Sequence, residues 1–140
     1  MENTQAITIE ATINAPIDKV WKMWNTPEDI MGWAFASDDW EAPFAENDLR
    51  IGGKFVTTMA AKDKSASFDF SGIYSNVKEN EIIEYSMEDG RKVSIKFENL
   101  GESTKVIETF DPEKQNPAEM QQAGWQSTLD NFKKYVEGGK

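Results

Sequence analysis

The chain has 140 residues, close to the size of a single domain; Ile, Leu, Val and Phe supply only one fifth of it, and acids outnumber bases 25 to 15. Those figures border on the disordered class, but 5 Trp, 8 Phe, 3 Tyr and 6 Met are more large apolar side chains than a solvated chain uses. The absence of His and Cys excludes a catalytic imidazole, a thiol nucleophile, a Ser-His-Asp triad, a Cys/His zinc site and any disulfide, while a net charge of −10 argues against duplex nucleic acid and anionic membrane surfaces as partners.

One folded domain over residues 1–140 is therefore expected, with an aromatic and Met-rich interior that is poor in Leu. No segment resembles a signal-peptide h-region or a membrane-spanning run, so the expectation is a soluble, cytoplasmic protein without membrane insertion.

Ile7, Ile9, Ala11 and Ile13 alternate with Thr8, Glu10 and Thr12, which predicts a strand with one apolar face. Pro16 then opens a short amphipathic helix carrying Ile17, Val20, Trp21 and Trp24 on one side. Thr26-Pro27-Glu28-Asp29 repeats the start signal, with a hydroxyl cap, Pro in the first turn and an acid at the third position. A second short helix bearing Ile30, Met31 and Trp33 should follow almost at once.

From Phe35 to Asp48 the pattern dissolves into a loop of small, acidic and aromatic residues, with room for a short strand near Trp40 to Ala45. Gly52-Gly53 marks a bulge or bend, after which Phe55, Thr57 and Met59 alternate with Val56, Thr58 and Ala60. Four further strands are predicted around Phe68 to Tyr74, Ile83 to Met87, Val93 to Phe97 and Lys105 to Phe110, with turn chemistry at Asp89-Gly90 and Asn99-Leu100-Gly101. Asn116-Pro117-Ala118-Glu119 predicts the cap of a long helix whose buried face reads Ala118, Gln122, Trp125, Leu129, Phe132 and Val136, closed by Gly138-Gly139. The order defines an α+β fold: an antiparallel meander of about six to seven strands, with the last helix lying across a face it cannot otherwise bury.

Four segments carry a family resemblance: Ile13-Asn14-Ala15-Pro16-Ile17-Asp18-Lys19-Val20-Trp21, Asp48-Leu49-Arg50-Ile51-Gly52-Gly53-Lys54-Phe55, Phe70-Ser71-Gly72-Ile73-Tyr74 and Gly124-Trp125. In this order and spacing the chain, from Thr8 to Val136, resembles the helix-grip, START-like (SRPBCC) superfamily, and within it the branch named for the activator of Hsp90 ATPase (AHSA1-like). The resemblance implies a curved sheet gripping the C-terminal helix, with a cavity between them entered near the short helices. It leaves function open, because the superfamily includes lipid and hormone carriers, polyketide cyclases, stress-related plant proteins and a co-chaperone. The His of some catalytic relatives is missing here.

Trp33, Phe35, Trp40, Met59, Phe70, Tyr85, Met87, Phe97, Met120 and Trp125 fall on inward phases or at the mouth of such a cavity. Taken one at a time, each is more readily solid core; together they suggest an apolar yet polarisable pocket with a few hydrogen-bonding tips. Two polar contacts are considered. Arg50, beside the glycine pair, can hold a ligand carboxylate, although pairing with Asp48 or another acid of the loop is the expected state. Glu108 points inward on one phase of its strand and to solvent on the other. The solvated phase is the expected one, because Ile107 and Thr109 make an equally good inward face.

Between Lys22 and Arg50 lie Glu28, Asp29, Asp38, Asp39, Glu41, Glu46 and Asp48 without one Lys or Arg, a solvated face or a negative rim favouring neutral or cationic ligands. Their spacing is not that of a calcium loop, so neither metal nor cofactor is expected. The leading functional expectation is binding of an apolar or aromatic small molecule by a monomer or weak dimer. The alternatives are a protein-interaction module of the co-chaperone kind and a cyclase- or hydrolase-like enzyme using a carboxylate. A connected cavity of about 300 Å3 or more favours the first; a solid core with an exposed apolar patch favours the second.

Overall fold

The computed structural model describes residues 6–138. Seven strands form one antiparallel sheet: β1 (Ile7–Ile13), β2 (Trp40–Asn47), β3 (Lys54–Ala61), β4 (Ser67–Lys78), β5 (Ile82–Met87), β6 (Lys92–Asn99) and β7 (Thr104–Phe110). Helices α1 (Ile17–Asn25) and α2 (Pro27–Trp33) follow β1, and α3 (Ala118–Glu137) closes the chain. The spatial order β1-β7-β6-β5-β4-β3-β2 is the predicted meander with β1 added beside the last strand. This is the curled sheet and gripping helix of the expected α+β helix-grip architecture.

The local signals differ from the sequence reading at several points, each for a physical reason. β2 is longer than the predicted Trp40 to Ala45, and its buried residues Ala42 and Ala45 are three apart because the register shifts between Glu41 and Phe44. That irregularity holds Pro43, which an edge strand tolerates. β4 continues past Tyr74 to Lys78 through a second irregularity between Tyr74 and Asn76, and the interrupted alternation hides its second half. Such bulges bend and twist a sheet, which helps this one to curl.

Neither predicted side-chain cap forms. The Thr26 hydroxyl donates to Lys22 O at 2.8 Å, serving the end of α1 rather than the start of α2. Asn116 donates its amide to the Glu113 carboxylate at 2.8 Å. Ala118, Gln122 and Glu119 are exposed; the inner face of α3 begins instead at Gln121, whose side chain binds Glu113 and Asn116 backbone groups at 2.8–3.1 Å. Gly138 keeps a right-handed conformation, with φ −77°, and Gly139 lies outside the described residues.

Two glycines are dictated by close approach. A Cβ at Gly53 would lie 2.0 Å from Asp48 O, so the turn into β3 closes only without a side chain there. A Cβ at Gly72 would lie 2.9 Å from the Phe55 and Tyr85 rings and from Ser86 O, so β4 lets those two rings meet above it at 4.7 Å between centroids. Gly72→Ala is expected to destabilise the fold by about 1–3 kcal/mol, as overpacking does; thermal denaturation reads this directly, and an unchanged midpoint would refute the packing argument.

The core is divided between the two ends of α3. Toward its C-terminus, Phe132, Leu129 and Val136 are buried with Ile13, Val20, Val106 and Ile95. The polar flank of α3 runs along β1: Lys133 donates to Thr12 O at 2.8 Å, Gln126 to Glu10 O at 3.2 Å, and Glu137 accepts from Asn14 N at 2.8 Å. The helix is thereby held toward the β1 side of the sheet. Between its N-terminal half and the middle strands a space remains.

Candidate functional site

That space is a cavity of about 400 Å3, partly open to solvent. Its floor comes from alternate residues of neighbouring strands, which must point the same way: Phe55, Thr57 and Met59 of β3, Phe68, Phe70 and Tyr74 of β4, Ile83 and Tyr85 of β5, and Glu108 of β7. The roof is Gly124, Trp125, Thr128 and Leu129 of α3, and one wall is Trp24, Ile30 and Trp33 of the short helices. Phe35, Ala36, Ser37, Trp40 and Phe68 lie toward the exposed end, where Trp40 and Phe68 meet at 5.9 Å.

The aromatic rings fix one another. Phe55 is central, 4.7 Å from Tyr85, 5.3 Å from Tyr74 and 5.7 Å from Phe70. Trp125 stacks on the fully buried Phe110 at 3.9 Å and 9° and meets Phe70 edge-on at 5.9 Å. Edge-to-face and stacked pairs of this kind add to the hydrophobic term, so the walls are held in place without a ligand. The entry segment is tied down as well: the Trp33 indole donates to Met23 O at 3.0 Å, Asn131 of α3 donates to Trp33 O at 2.9 Å, and the Tyr135 hydroxyl donates to Asp29 at 2.6 Å.

Polar groups in the wall fall into two sets. One is internally satisfied: the Tyr74 hydroxyl donates to Asn47 Oδ1 at 2.5 Å, and Asn47 donates to Asn25 O at 2.8 Å, linking β4, β2 and the end of α1. Burial pushes the Tyr74 hydroxyl well up from its ordinary value. The other set is not satisfied by the protein. Glu108 is 7% exposed, receives no hydrogen bond from the described residues, and is pushed up to about 8 by desolvation alone. Tyr85 beside it is raised by burial and then by the Glu108 charge. A carboxyl in this condition carries a proton at neutral pH and can donate or accept one.

Of the residues placed around the cavity from the sequence, Trp33, Phe35, Trp40, Met59, Phe70, Tyr85 and Trp125 do line it. Three do not. Phe97 is on an inward phase, but Trp21 and Trp24 cover it at 5.1 and 5.9 Å; Met87 is buried outside the lining; Met120 is 60% exposed on the outer side of the first turn of α3. Arg50 also lies away from the cavity, bound through Nε to Asp48 at 2.9 Å in solvent.

Glu108 overturns the expected solvated phase: Thr104, Val106, Glu108 and Phe110 face inward, and Ile107 and Thr109 face out. The register decides it, because Glu108 lies opposite Ile9 and Ile95, both almost fully buried. Sequence reasoning missed Trp24, Phe55, Thr57, Tyr74 and Asn47; for Phe55 and Thr57 the signal was present, since they share the phase of Met59. Among the described residues no three acidic side chains converge to hold a metal ion, and no helix is long and apolar enough to cross a membrane.

Comparison with curated proteins gave no match. A solution structure of an AHSA1-like protein from Aeromonas hydrophila is 46% identical, with 95% of this chain and 92% of that chain covered and a TM-score of 0.89. A protein from Cytophaga hutchinsonii is 56% identical over 94% of this chain and 92% of its own, at a TM-score of 0.82. A protein from Chromobacterium violaceum, 21% identical over 94% and 97% of the two chains with a TM-score of 0.84, shares the fold. The sequence model of the Activator of Hsp90 ATPase homolog 1-like proteins matches residues 14–137, from the turn after β1 to the end of α3 and so across every wall of the cavity. The chain belongs to that family.

Proposed function

We propose that the protein binds an apolar or aromatic small molecule in the cavity between the sheet and α3. The observation that supports this reading is the cavity itself: about 400 Å3, within the roughly 300–1,000 Å3 of small-molecule sites, walled by mutually supported aromatic rings and carrying few polar groups. A core arranged only for stability would close such a space, since proteins pack at near-crystalline density. An interaction module of the Hsp90-activator kind has less support, because its distinguishing expectation is a solid core. A carboxylate-using enzyme is the second reading, favoured by Glu108, whose proton is available inside the pocket.

Gly124 supplies the test. It lies within α3 and lines the cavity, and a Cβ there would meet nothing within 4 Å. Gly124→Leu replaces a poor helix former by a good one, worth about 0.5–1 kcal/mol, and projects a side chain into the space. Titration of the neutral probe 1-N-phenylnaphthylamine, followed by its fluorescence and by amide chemical shifts, is expected to perturb residues of the cavity wall. In the variant, affinity should fall by at least about tenfold, the order of a lost apolar contact, with the thermal midpoint held or raised. No binding to the wild type, or equal binding to both, would sink the proposal.

A further inference from the structure

We infer that the occupant selected by this cavity is an amphiphilic amine, an apolar or aromatic body with one basic nitrogen whose ammonium group pairs with the Glu108 carboxylate. This rests on the cavity being a binding site and adds the charge class of what enters it. Among the lining residues Glu108 is the single acid, and no Lys or Arg accompanies it. The other titratable groups in the wall are the Tyr85 and Tyr74 hydroxyls, both shifted upward, so neither becomes an anion or a cation near neutrality. Arg91 and Asp48 exert charge on Tyr85 and Tyr74 respectively but neither lines the space. The strands flanking Glu108 present Ile9 and Ile95 to it, and α3 contributes only Gly124, Trp125, Thr128 and Leu129.

The protein thus buries an acid and supplies no counter-charge. A buried carboxyl without a partner is destabilising, and one that faces an open cavity rather than packed side chains is completed by what fills the cavity. A cation meets three favourable terms there. It forms a charge-assisted hydrogen bond with Glu108; the lining is rich in aromatic rings, Phe55, Phe70 and Trp125 among them, whose π-systems attract cations; and the surrounding field is negative, with a net charge of −10 and Asp38 and Asp39 directly following Ser37 at the mouth. An anionic ligand such as a fatty-acid carboxylate meets the reverse. Because Glu108 holds its proton up to about pH 8, binding an ammonium ion transfers that proton to solvent. Alkylammonium groups, with ordinary values of about 10, stay charged throughout.

Three probes sharing one naphthyl body separate the terms: 2-(1-naphthyl)ethylamine, 2-(1-naphthyl)ethanol and 1-naphthylacetate, titrated calorimetrically against wild type, Glu108→Gln and Gly124→Leu. At about pH 8 the amine is expected to bind the wild type about tenfold or more tighter than the alcohol, as a charge-assisted bond does over a neutral one, with the carboxylate weakest. Glu108→Gln should bring the ratio of amine to alcohol affinity from about tenfold or more down to about one. In the wild type, amine affinity should rise by up to about tenfold per pH unit between about pH 6 and 8, with proton release into buffers of different ionisation enthalpy, while alcohol affinity stays flat. The proton release reads Glu108 without any substitution. Alcohol binding with no preference for the amine, or a preference that survives in Glu108→Gln, overturns the inference and leaves the cavity reading intact. Failure of all three probes to bind, or binding unaffected by Gly124→Leu, overturns both.

Discussion

Glu108→Gln is expected to stabilise the protein by roughly 3–5 kcal/mol at pH 8 and by almost nothing near pH 4.5, an unusually large gain from one conservative change. Glu108 is 7% exposed, and desolvation raises its carboxyl from an ordinary 4.5 to about 8. Below pH 4.5 it is protonated in both the folded and unfolded chain and contributes no pH dependence. Between 4.5 and 8 the folded protein keeps a proton that the unfolded chain has lost, so stability falls as pH rises, by at most about 1.4 kcal/mol per unit. Above about 8 the folded state also ionises and the loss levels off.

Other carboxylates act in the opposite direction at lower pH. Asp48, held down by the Arg50 side chain, Asp63 by the Ser65 hydroxyl, Asp89 by the Arg91 backbone, Glu113 by Asn116 and Glu137 by Lys133 all lie below their ordinary values. Their contribution is present above the ordinary carboxylate range and is lost as pH falls through their lowered values. The wild type should therefore be most stable at mildly acidic pH, and the Gln variant should keep only the acidic limb of that profile. Urea midpoints across pH for both proteins read the difference. Parallel profiles would mean that Glu108 is hydrated through the cavity mouth and is no buried acid.

The same residue marks where the sequence ceases to be informative. In β7 the sets Val106, Glu108, Phe110 and Lys105, Ile107, Thr109 each mix apolar and polar residues, so alternation establishes a strand without choosing its face. The choice is made by pairing with β1 and β6, whose inward residues are unambiguous, and pairing register is a tertiary fact. By contrast, β1, the two short helices and the meander were legible because period and turn chemistry agree locally. Phe97 shows a further limit: phase gives the side of the sheet, but not whether α1 or empty space lies above it. Met120 differs for another reason: it lies off the apolar face of α3, in a first turn whose residues are exposed, and the buried side of the helix begins at Gln121. Edge strand β2 was barely visible, since its bulge replaces the period of two by a spacing of three between Ala42 and Ala45.

Phe132→Ala is expected to destabilise the fold by about 3–5 kcal/mol, the range for truncating a buried aromatic ring. Phe132 has no exposed surface and meets Trp24 and Trp33 edge-on, each at 4.8 Å. Those two indoles form the helical wall of the cavity and lie 4.8 Å apart, so the ring clamps α1 and α2 onto α3. Its removal leaves a void behind the wall. The backbone ties from Asn131 to Trp33 O and from Trp33 to Met23 O limit how far the indoles can collapse into it, which places the cost toward the upper part of the range. Phe68→Ala at the mouth, where the residue is 51% exposed and its ring centroid lies 5.9 Å from that of Trp40, should cost no more than about 1 kcal/mol. Denaturation of both variants, set beside their affinity for the naphthyl probes, separates what supports the wall from what forms the entrance: Phe132→Ala lowers stability most, and Phe68→Ala changes binding more than stability. Equal losses of stability would show Phe68 to be part of the core and the open end of the cavity to be closed in solution.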